Sequence, residues 1–415
     1  MKDYTIFRKL IVILIFFIFL VFNISVSVAI VIKKSDTVFS EGNILYVGGN
    51  GPGNYSEIQE AIDDANDDDT VFVFSGKYSA NIIIDKSIYL IGENQETTII
   101  EMGNDGILIY SNGVTVKQFT IEKCGGFWYR SGIYIGSNQN TISNLTIANN
   151  GILNGIFIED SYDNIVTNNI IKDNLYFGIR LEYSSNNIIM DNYISNVVTN
   201  GIVLTGSSNN MIFLNTIREC TWGGIKVDEF SNNNNLYHNN FIDNDYYNGA
   251  DNGSNTWDYD YPSGGNYWND YNGEDNDGDG IGNTPYLIPG GDNIDRYPLM
   301  EPYGTPEIPI ISGPIHGSVG EKYDWTFIST DPNDHDIYYW IKWGDDTSSN
   351  EWTGPYKSGE EVTVSHTYTK QGTFIIKAKV KDEYELESDW GQLSISMPKN
   401  IIKNYMLKSF FDLLK

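Results

Sequence analysis

The chain has 415 residues, and 55 acidic residues against 26 Lys and Arg give a formal net charge of −29. This length leaves room for two or more domains. Because no basic surface can form to neutralise phosphates, nucleic acid is excluded as a partner, whereas the acidity suits an exported protein or one that collects cations.

Residues 1–32 differ in composition from the rest of the chain. Lys2, Arg8 and Lys9 lie before or at the start of the apolar run LIVILIFFIFLVF, and small residues follow at 27–29. This pattern is typical of an export signal, although the apolar run is also just long enough for an uncleaved membrane anchor. Under either interpretation the segment engages the membrane, and the body of the chain is secreted or held at the cell surface.

Residues 44–105 predict several strands and one short helix. The segment YSEIQEAIDDAND has the periodicity of an amphipathic helix, with Ser56 and Gln59 spaced as a capping box. The runs TVFVFSGKY, NIIID, SIYLIG and TTIIE are typical of strands. A helix of this kind is suited to covering the open end of a stack of strands.

A repeat of fixed period follows. Leading glycines recur every 23 residues, at Gly132, Gly155, Gly178, Gly201 and Gly224. A constant period of about this length indicates stacked coils, either a leucine-rich horseshoe or a parallel β-helix. Three strand-like runs per repeat, without a leucine framework, favour the second. We therefore predict an all-β fold: a parallel β-helix with 23-residue coils.

Equivalent positions in successive coils should form columns of side chains. Asn tolerates the left-handed conformation that sharp bends need, and stacked amides can hydrogen-bond along the axis at a spacing of about 4.8 Å. The predicted apolar, inward-facing column is Ile133, Ile156, Ile179, Ile202 and Ile225. The predicted polar column is Asp163–Asn164, Asn186–Asn187, Asn209–Asn210 and Asn232–Asn233.

The two cysteines take similar places in coils that are four apart. Cys124 follows TIEK and Cys220 follows TIRE. Four coils correspond to about 19 Å, which is beyond the reach of a disulfide. We predict two unpaired, mostly buried thiols.

Residues 246–303 are rich in Asn, Gly, Asp, Tyr and Trp. The run DNDGDGIG places Asp275, Asp277 and Asp279 at alternate positions, before Gly280 and the carbonyl of Ile281, as in the first half of an EF-hand loop. Tyr286 stands where such a loop needs its closing Glu. A further carboxylate would have to come from elsewhere, the candidates being Asp270, Asp292 and Asp295. The sequence leaves two interpretations: a Ca²⁺ site or a solvated acidic loop.

The Gly-Ile coils and this aromatic segment carry a resemblance to a known family. Over residues 44–303 the chain resembles the NosD-type family of periplasmic copper-processing proteins and pectin-lyase-like β-helices more broadly. The resemblance implies that the β-helix is right-handed and parallel, and it raises the question of copper. Copper favours His, Met and Cys ligands, but only His238 among four histidines lies in the repeats, and Met190 and Met211 occupy different positions in their coils. These residues argue against a specific copper site.

A second domain is predicted for residues 306–397, after a Pro-rich joint. Alternating runs such as YDWTFIST, YYWIKWGD and GTFIIKAKVKD predict a small antiparallel β-sandwich. The motifs KWGDDTS and VKD resemble those of PKD-type immunoglobulin-like modules, which implies a role in spacing or adhesion. The tail 398–415 is amphipathic and too short to span a membrane. It could lie on a membrane surface, dock on a partner, pack on its own sandwich or fray.

Outward-facing side chains of the coils supply the candidate binding and catalytic residues. Glu159 and Glu182 stack on adjacent coils, about 5 Å apart if in register, a spacing known in glycosidases, and Arg180 beside them could bind an acidic sugar. A surface salt ladder explains the same three residues without chemistry. The candidate ligand-binding residues, including aromatic side chains at the turn, are Tyr134, Phe157, Arg180, Lys226, Asp228, Trp128, Tyr176 and Trp222.

The leading functional prediction is an exported cell-surface protein that binds an extracellular ligand, carbohydrate first, without catalysis. The first alternative is a polysaccharide lyase or hydrolase using Glu159, Glu182 and Arg180. The second is a NosD-like accessory protein for copper. The sequence carries no signal for the oligomeric state.

Overall fold

A computed structural model describes residues 42–397 except 80, 102–105, 124–130, 150, 152–153, 334, 346 and 348–350. The predicted leader 1–32, the tail 398–415, Cys124 and Trp128 lie outside the described residues. Two hydrophobic cores are present: one extends along the chain from Val47 to Ile288, and the other from Ile311 to Met397.

The first core lies inside a parallel β-solenoid of about nine turns, which confirms the predicted fold. Its elements are β1 (Ile44–Val47), α1 (Ile58–Asp64), β2 (Thr70–Val73), β3 (Gly76–Ser79), β4 (Ile82–Ile84), β5 (Tyr89–Gly92), β6 (Thr98–Glu101), β7 (Ile107–Ile109), β8 (Thr115–Glu122), β9 (Ser131–Ile135), β10 (Thr141–Ala148), β11 (Asn154–Glu159), β12 (Ile165–Thr167), β13 (Ile170–Lys172), β14 (Ile179–Glu182), β15 (Ile188–Met190), β16 (Tyr193–Ser195), β17 (Asn200–Thr205), β18 (Met211–Phe213), β19 (Thr216–Arg218), β20 (Gly223–Val227), β21 (Asn235–Tyr237), β22 (Asn240–Ile242), β23 (Tyr247–Asp251), β24 (Tyr267–Trp268), β25 (Tyr286–Leu287) and β26 (Ile294–Asp295).

The strands of successive coils stack in parallel. An eight-stranded sheet runs in the order β4, β7, β9, β11, β14, β17, β20, β23, and we call it the outer sheet. A 16-stranded sheet supplies the remaining walls, including the row β10, β13, β16, β19, β22, β24 and the row β12, β15, β18, β21. The five isoleucines of the predicted apolar column pair in sequence along the outer sheet, and all are fully buried. The predicted 23-residue register is therefore confirmed between Ile133 and Ile225.

Two inward-facing columns of asparagine connect successive coils. In both columns, every asparagine after the first uses its side-chain Oδ1 to accept the backbone N–H of the asparagine one coil earlier. One column is Asn140, Asn164, Asn187, Asn210 and Asn234, and the other is Asn169, Asn192, Asn215, Asn239 and Asn266, all fully buried. The amides thus satisfy backbone groups that the turns would otherwise leave unpaired inside the core.

The predicted polar column is wrong at its last member. Asn210 donates to Oδ1 of Asn234 at 3.0 Å, so the pair in this coil is 233–234 rather than 232–233. This coil is one residue longer than the two before it, because Ile212 pairs with Leu236, which lies 24 residues further along. The residue before each buried asparagine of this column is left-handed, with φ of 58° at Asn186 and 58° at Asn233. The conformation expected of asparagine at these bends is therefore present.

The leading glycines lie in single file along the solenoid, and a side chain would not fit at their positions. A Cβ on Gly178 would lie 2.5 Å from the carbonyl oxygen of Gly201, and one on Gly201 would lie 2.8 Å from that of Gly224. Both distances are well below van der Waals contact. The coils can approach each other along this line only where the residue is glycine.

Helix α1 covers the N-terminal end of the core through Ile58, Ala61 and Ile62, all fully buried. The predicted capping box is wrong: Glu57 is the N-cap residue, and no side chain caps the helix. Gln59 instead accepts a hydrogen bond from the backbone N–H of Ile83 at 2.8 Å, so it joins the helix to the first outer strand. No helix in the described part of the chain is long and apolar enough to cross a membrane.

Cys220 is fully buried and forms no disulfide, as predicted for it. Burial raises the pKa of its thiol to about 12, so it stays protonated and unreactive at neutral pH. The prediction for Cys124 falls outside the described residues.

The second core lies within two small antiparallel sheets, and this part of the predicted fold class is confirmed. Trp325, Phe327 and Tyr339 are fully buried in it. The strands are β27 (Ile310–Ser312), β28 (Lys322–Ile328), β29 (Ile337–Lys342), β30 (Thr353–Tyr356), β31 (Val362–Thr367), β32 (Gly372–Asp382) and β33 (Gly391–Met397). One sheet runs β27–β28–β31 and the other β30–β29–β32–β33.

Candidate functional site

One column of outward-facing residues crosses the middle of the outer sheet. Tyr134, Phe157, Arg180, Val203 and Lys226 are direct register partners on β9, β11, β14, β17 and β20. Tyr134 and Phe157 are only 6% exposed each, because their rings pack edge to face at 5.7 Å. The column therefore changes from covered aromatic rings at one end to an exposed ammonium group at Lys226. The two buried rings offer little surface to a ligand.

Arg180 is held by neighbours on three sides. Its guanidinium lies 4.9 Å from the ring centroid of Phe157 and 6.0 Å from that of Phe177. Its Nη2 lies 2.5 Å from Oε2 of Glu182. Stacking and the ion pair fix the orientation of the guanidinium while leaving the side chain partly exposed. Arg180 is thus preorganised to receive an anionic or strongly polar group.

A groove opens beside this arginine, where the turn before each outer strand meets the sheet. We call it the Trp222 groove; its cavity volume is about 440 Å³. A second hollow of about 490 Å³ lies on the adjacent coils, against Tyr246 and Tyr247, and Trp222 lines both. The Trp222 groove is lined by, among others, Tyr176, Phe177, Arg180, Asn200, Trp222 and Lys226.

Exposed aromatic rings follow the turn from coil to coil. Tyr176 is 43% exposed, Trp222 58% and Tyr246 78%. Trp222 lies two coils beyond Tyr176, which corresponds to about 9.6 Å along the axis. Tyr246 was missed by the sequence reading, because the longer coil moves it one place out of the 23-residue period. Allowing for a 24-residue coil would have found it.

The predicted acidic residues have partners within the protein. Glu159 and Glu182 are direct register partners, as expected from the period. Oε2 of Glu159 accepts a hydrogen bond from the hydroxyl of Tyr134 at 2.9 Å, and Glu182 pairs with Arg180. The carboxylate of Asp228 accepts hydrogen bonds from the backbone N–H groups of Gly206 and Phe230 and from Ser231 Oγ, so it closes a turn. Asp228 therefore serves the fold, although it borders the groove.

The Asp-rich loop brings its three carboxylates together. Asp275, Asp277 and Asp279 each offer an oxygen within 4.8 Å of the others. The backbone N–H groups of Gly280 and Gly278 donate to Asp275 and hold its pKa below the usual value. Oδ1 of Asp279 accepts the backbone N–H of Ile281, so one oxygen of this carboxylate is also engaged within the loop.

Two of the three carboxylates suggested to complete this loop are engaged elsewhere. Asp270 accepts hydrogen bonds from the hydroxyl of Tyr286 and the amide of Asn248. Asp295 is fully buried and accepts the indole N–H of Trp268 at 2.9 Å. The third, Asp292, is exposed. The calcium site remains a prediction resting on the three loop aspartates.

The described residues do not supply a copper-type set of ligands. Two groups of three or more His, Cys, Asp or Glu side chains converge in this part of the chain: the loop aspartates and the set Asp331, His335 and Asp382. Both are dominated by carboxylates, which are hard ligands. His238 contacts the carbonyl of Ser263 at 2.8 Å and stacks on Tyr303. Met190 and Met211 lie in different columns, pairing with Phe213 and Ile188 respectively.

Comparison with known proteins gives one family. The model of the family described as "Periplasmic copper-binding protein (NosD)" matches residues 62–273. No curated protein matches the chain.

Three of the solved structures to which the chain is similar are the following. The PKD domain of an M14-like peptidase from Thermoplasmatales archaeon SCGC AB-540-F20 is 51% identical, over 23% of this chain and 96% of that chain, with a TM-score of 0.22. The catalytic domain of GH87 alpha-1,3-glucanase in complex with nigerose is 15% identical, over 56% and 48%, with a TM-score of 0.33. A tailspike protein from Acinetobacter baumannii bacteriophage Fri1, a capsular polysaccharide depolymerase, is 11% identical, over 86% and 79%, with a TM-score of 0.31. These scores do not bear on the activity of this chain.

Proposed function

This chain belongs to the NosD family, and on that premise we propose that it is an exported protein that binds an extracellular carbohydrate in the Trp222 groove without cleaving it. The family is described as periplasmic, which supports a location outside the cytoplasm. The basic and apolar composition of residues 1–32 supports the same location.

The observation that carries the proposal is the exposure of large aromatic rings along one turn of the solenoid. Burying a ring stabilises a protein, so a Trp that stays 58% exposed at the rim of a groove is available to a ligand. Tyr176 and Trp222 lie two coils apart, a span comparable with the length of a disaccharide. The C–H faces of a sugar stack on such rings, and polar groups of the groove can bind its hydroxyls.

The charges of the groove indicate which carbohydrate it suits. Arg180 and Lys226 belong to one column of the outer sheet, separated by Val203. Two cations at this spacing stand out on a chain with a net charge of −29. A guanidinium with fixed orientation binds a carboxylate well. An acidic polysaccharide, such as a polyuronide, is therefore the first ligand to test.

Binding is favoured over cleavage by the surroundings of the two glutamates. Glu159 accepts a hydrogen bond from Tyr134, and Glu182 is paired with Arg180. To act as a general acid or a nucleophile, each carboxylate would first have to break its present contact. Glu159 and Glu182 are still register partners on the adjacent strands β11 and β14, and a pair of neighbouring carboxylates is what most glycosidases use. Polysaccharide cleavage is therefore the alternative function.

The C-terminal antiparallel sheets would hold the solenoid away from the cell surface or attach it to a neighbour. Their 51% identity to a PKD domain over most of that domain suggests the module. In this arrangement the sheets act as a spacer, and the ligand binds in the groove on the solenoid.

The test is binding of the purified protein to a glycan array, followed by calorimetry with the best acidic oligosaccharide. Trp222→Ala and Arg180→Gln should each weaken binding at least tenfold. Phe230→Ala removes an aromatic ring that is 69% exposed outside the groove, and it should bind like the wild type. No binding to any glycan, or equal binding by wild type and Trp222→Ala, would contradict the proposal. New reducing or unsaturated ends on incubation with polyuronides would establish the enzyme instead.

A further inference from the structure

A cluster of titratable side chains is buried where the C-terminal sheets meet the solenoid. Asp331, His335 and Asp382 come from the loop after β28 and the end of β32, and they are 5%, 6% and 1% exposed. Asp191, from the turn between β15 and β16, faces the same histidine and is 9% exposed. Carboxylates in such numbers are rarely buried without a cation.

The carboxylates of Asp331 and Asp382 each have one oxygen fixed by the backbone. Oδ1 of Asp331 accepts the N–H groups of Asn333 and His335, and Oδ1 of Asp382 accepts those of Tyr384 and Leu386. Oδ2 of each is buried and makes no hydrogen bond. These loops therefore hold two rigid carboxylates whose second oxygens remain without a donor.

The imidazole of His335 lies between these carboxylates without forming a hydrogen bond. Both ring nitrogens are buried and make no hydrogen bond, although carboxylates lie within ion-pair distance of each. Nδ1 lies 3.6 Å from Oδ1 of Asp331 and 3.6 Å from Oδ2 of Asp382. At that distance a direct hydrogen bond is ruled out. For Oδ2 of Asp382, which accepts no hydrogen bond, this distance is close to the separation of about 3.4 Å between two ligand atoms that share one tetrahedral ion at about 2.1 Å.

We propose that Asp331, His335 and Asp382 bind one divalent transition-metal ion of the Zn²⁺ class. One ligand atom from each of the three residues lies within 4.8 Å of the others, so a single ion can reach all three. The imidazole distinguishes this site from a calcium site, since Ca²⁺ takes six to eight oxygen ligands and two carboxylates are far from that number. A mixed set of imidazole and carboxylate ligands suits Zn²⁺.

Asp191 has a different role in the same site. Its Oδ1 lies 3.3 Å from Nε2 of His335, on the opposite side of the ring from the two ligand carboxylates. A histidine that binds a metal through one nitrogen commonly donates its other N–H to a carboxylate, which fixes the ring and strengthens the ligand. Asp191 is therefore a positioning residue, contributed by the solenoid to a site on the C-terminal sheets.

The ion would connect the two parts of the protein. The hydroxyl of Tyr384 donates to the backbone carbonyl of Asp191 at 3.2 Å, and its ring stacks on Tyr193 of the solenoid at 5.6 Å. The same ring packs edge to face on His335 at 4.5 Å. Bound metal would thus order the loop that carries this tyrosine and set the angle at which the sheets leave the solenoid.

The experiment is titration of the purified, chelator-treated protein with Zn²⁺, followed by calorimetry and by thermal unfolding. We expect one tightly bound Zn²⁺ per chain and a rise in the unfolding temperature of the C-terminal sheets. His335→Gln and Asp382→Asn should abolish that binding; the second keeps an oxygen for the N–H groups of Tyr384 and Leu386. Asp191→Asn should keep the stoichiometry and lower the affinity roughly 10–100-fold.

Two controls assign the result to this site. His366→Gln removes a second histidine that pairs with an aspartate, Asp345, in the same sheets, and it should bind Zn²⁺ like the wild type. Asp277→Asn tests whether the Asp-rich loop contributes instead. X-ray absorption at the zinc edge of the wild-type protein should show one imidazole among oxygen ligands. This measurement does not depend on whether any variant folds. Failure of the wild type to bind one Zn²⁺, or absence of imidazole from the spectrum, would overturn the proposal and leave His335 as an ion-pair partner only.

Discussion

Asn192 and Asn215 lie one coil apart and are joined by two hydrogen bonds. Oδ1 of Asn215 accepts the backbone N–H of Asn192 at 3.1 Å and its side-chain amide at 3.0 Å. The amide of Asn192 also donates to the carbonyls of Val166 and Met190, both at 2.9 Å. A single side chain thus serves groups from three coils inside a core that excludes water.

Replacing Asn192 should therefore destabilise the solenoid strongly. Asn192→Ala leaves the backbone N–H of Asn169 without its acceptor, and it removes the donor to two carbonyls. Each buried group left unpaired costs about 1–3 kcal/mol, so we expect a loss of about 3 kcal/mol or more in chemical unfolding. Asn186→Gly, at an exposed left-handed position, should change stability by less than about 0.5 kcal/mol. Equal losses in both variants would contradict the role assigned to the buried column.

The single file of glycines gives a second prediction. In Gly178→Ala the new methyl group would lie 2.5 Å from the carbonyl oxygen of Gly201 and 2.5 Å from Cγ2 of Ile194. The coils would have to separate locally, at a cost of about 1–3 kcal/mol. Gly76→Ala is the control, because its methyl group would lie 3.4 Å or more from its nearest neighbours. Thermal unfolding should show a lower midpoint for the first variant alone.

The period of the repeat predicted most of this geometry because it is enforced by the core. An isoleucine that left its column would expose apolar surface, and a glycine that left its file would collide with the next coil. The longer coil after Gly224 was not predictable in detail. The run SNNNN has four asparagines in a row, so the sequence does not show which of them is buried. The pairing of the strands places Asn234 in the buried column.

The candidate sites were less predictable for two physical reasons. Residues such as Asp228 and Glu159 have outward positions that the period gives correctly, but their hydrogen-bond partners depend on turns and side-chain rotamers. The contact between Asp191 and His335 joins segments 144 residues apart that were interpreted as separate domains. No local pattern signals such a contact, so the buried cluster became visible only in the folded chain.

The third prediction concerns how stability falls on acidification, through the protonation of His238. Burial lowers the pKa of this imidazole, which stacks on Tyr303. A histidine with a depressed pKa stabilises the fold above its ordinary pKa of about 6.5, and this contribution is lost as the pH falls through the folded-state value. His238→Gln should therefore lose less stability than the wild type between about pH 7.5 and about pH 5, measured by urea unfolding.

The comparison must be made as a difference between variants, because Asp295 acts in the opposite direction. Burial raises the pKa of Asp295 from 3.8 to about 6. Its contribution to stability is present below the ordinary value and is lost as the pH rises through about 6. The two effects partly cancel in the wild type. A wild-type profile and a His238→Gln profile that run parallel would show that the histidine is solvated rather than buried.

The Asp-rich loop gives the last prediction, which concerns calcium. Both carboxylate oxygens of Asp275 and one of Asp279 already accept backbone N–H groups, so Asp277 carries the oxygens most available to a cation. If the loop binds Ca²⁺, Asp277→Asn should weaken binding at least tenfold, because one of three charged ligands is lost. Asp292→Asn removes an exposed carboxylate of the same segment that lies outside the converging group, and it should leave the affinity unchanged. If no heat of binding is measured up to millimolar Ca²⁺, the loop is a solvated acidic turn and not a calcium site. An equal loss in both variants would point to general attraction by the negative surface rather than to a defined site.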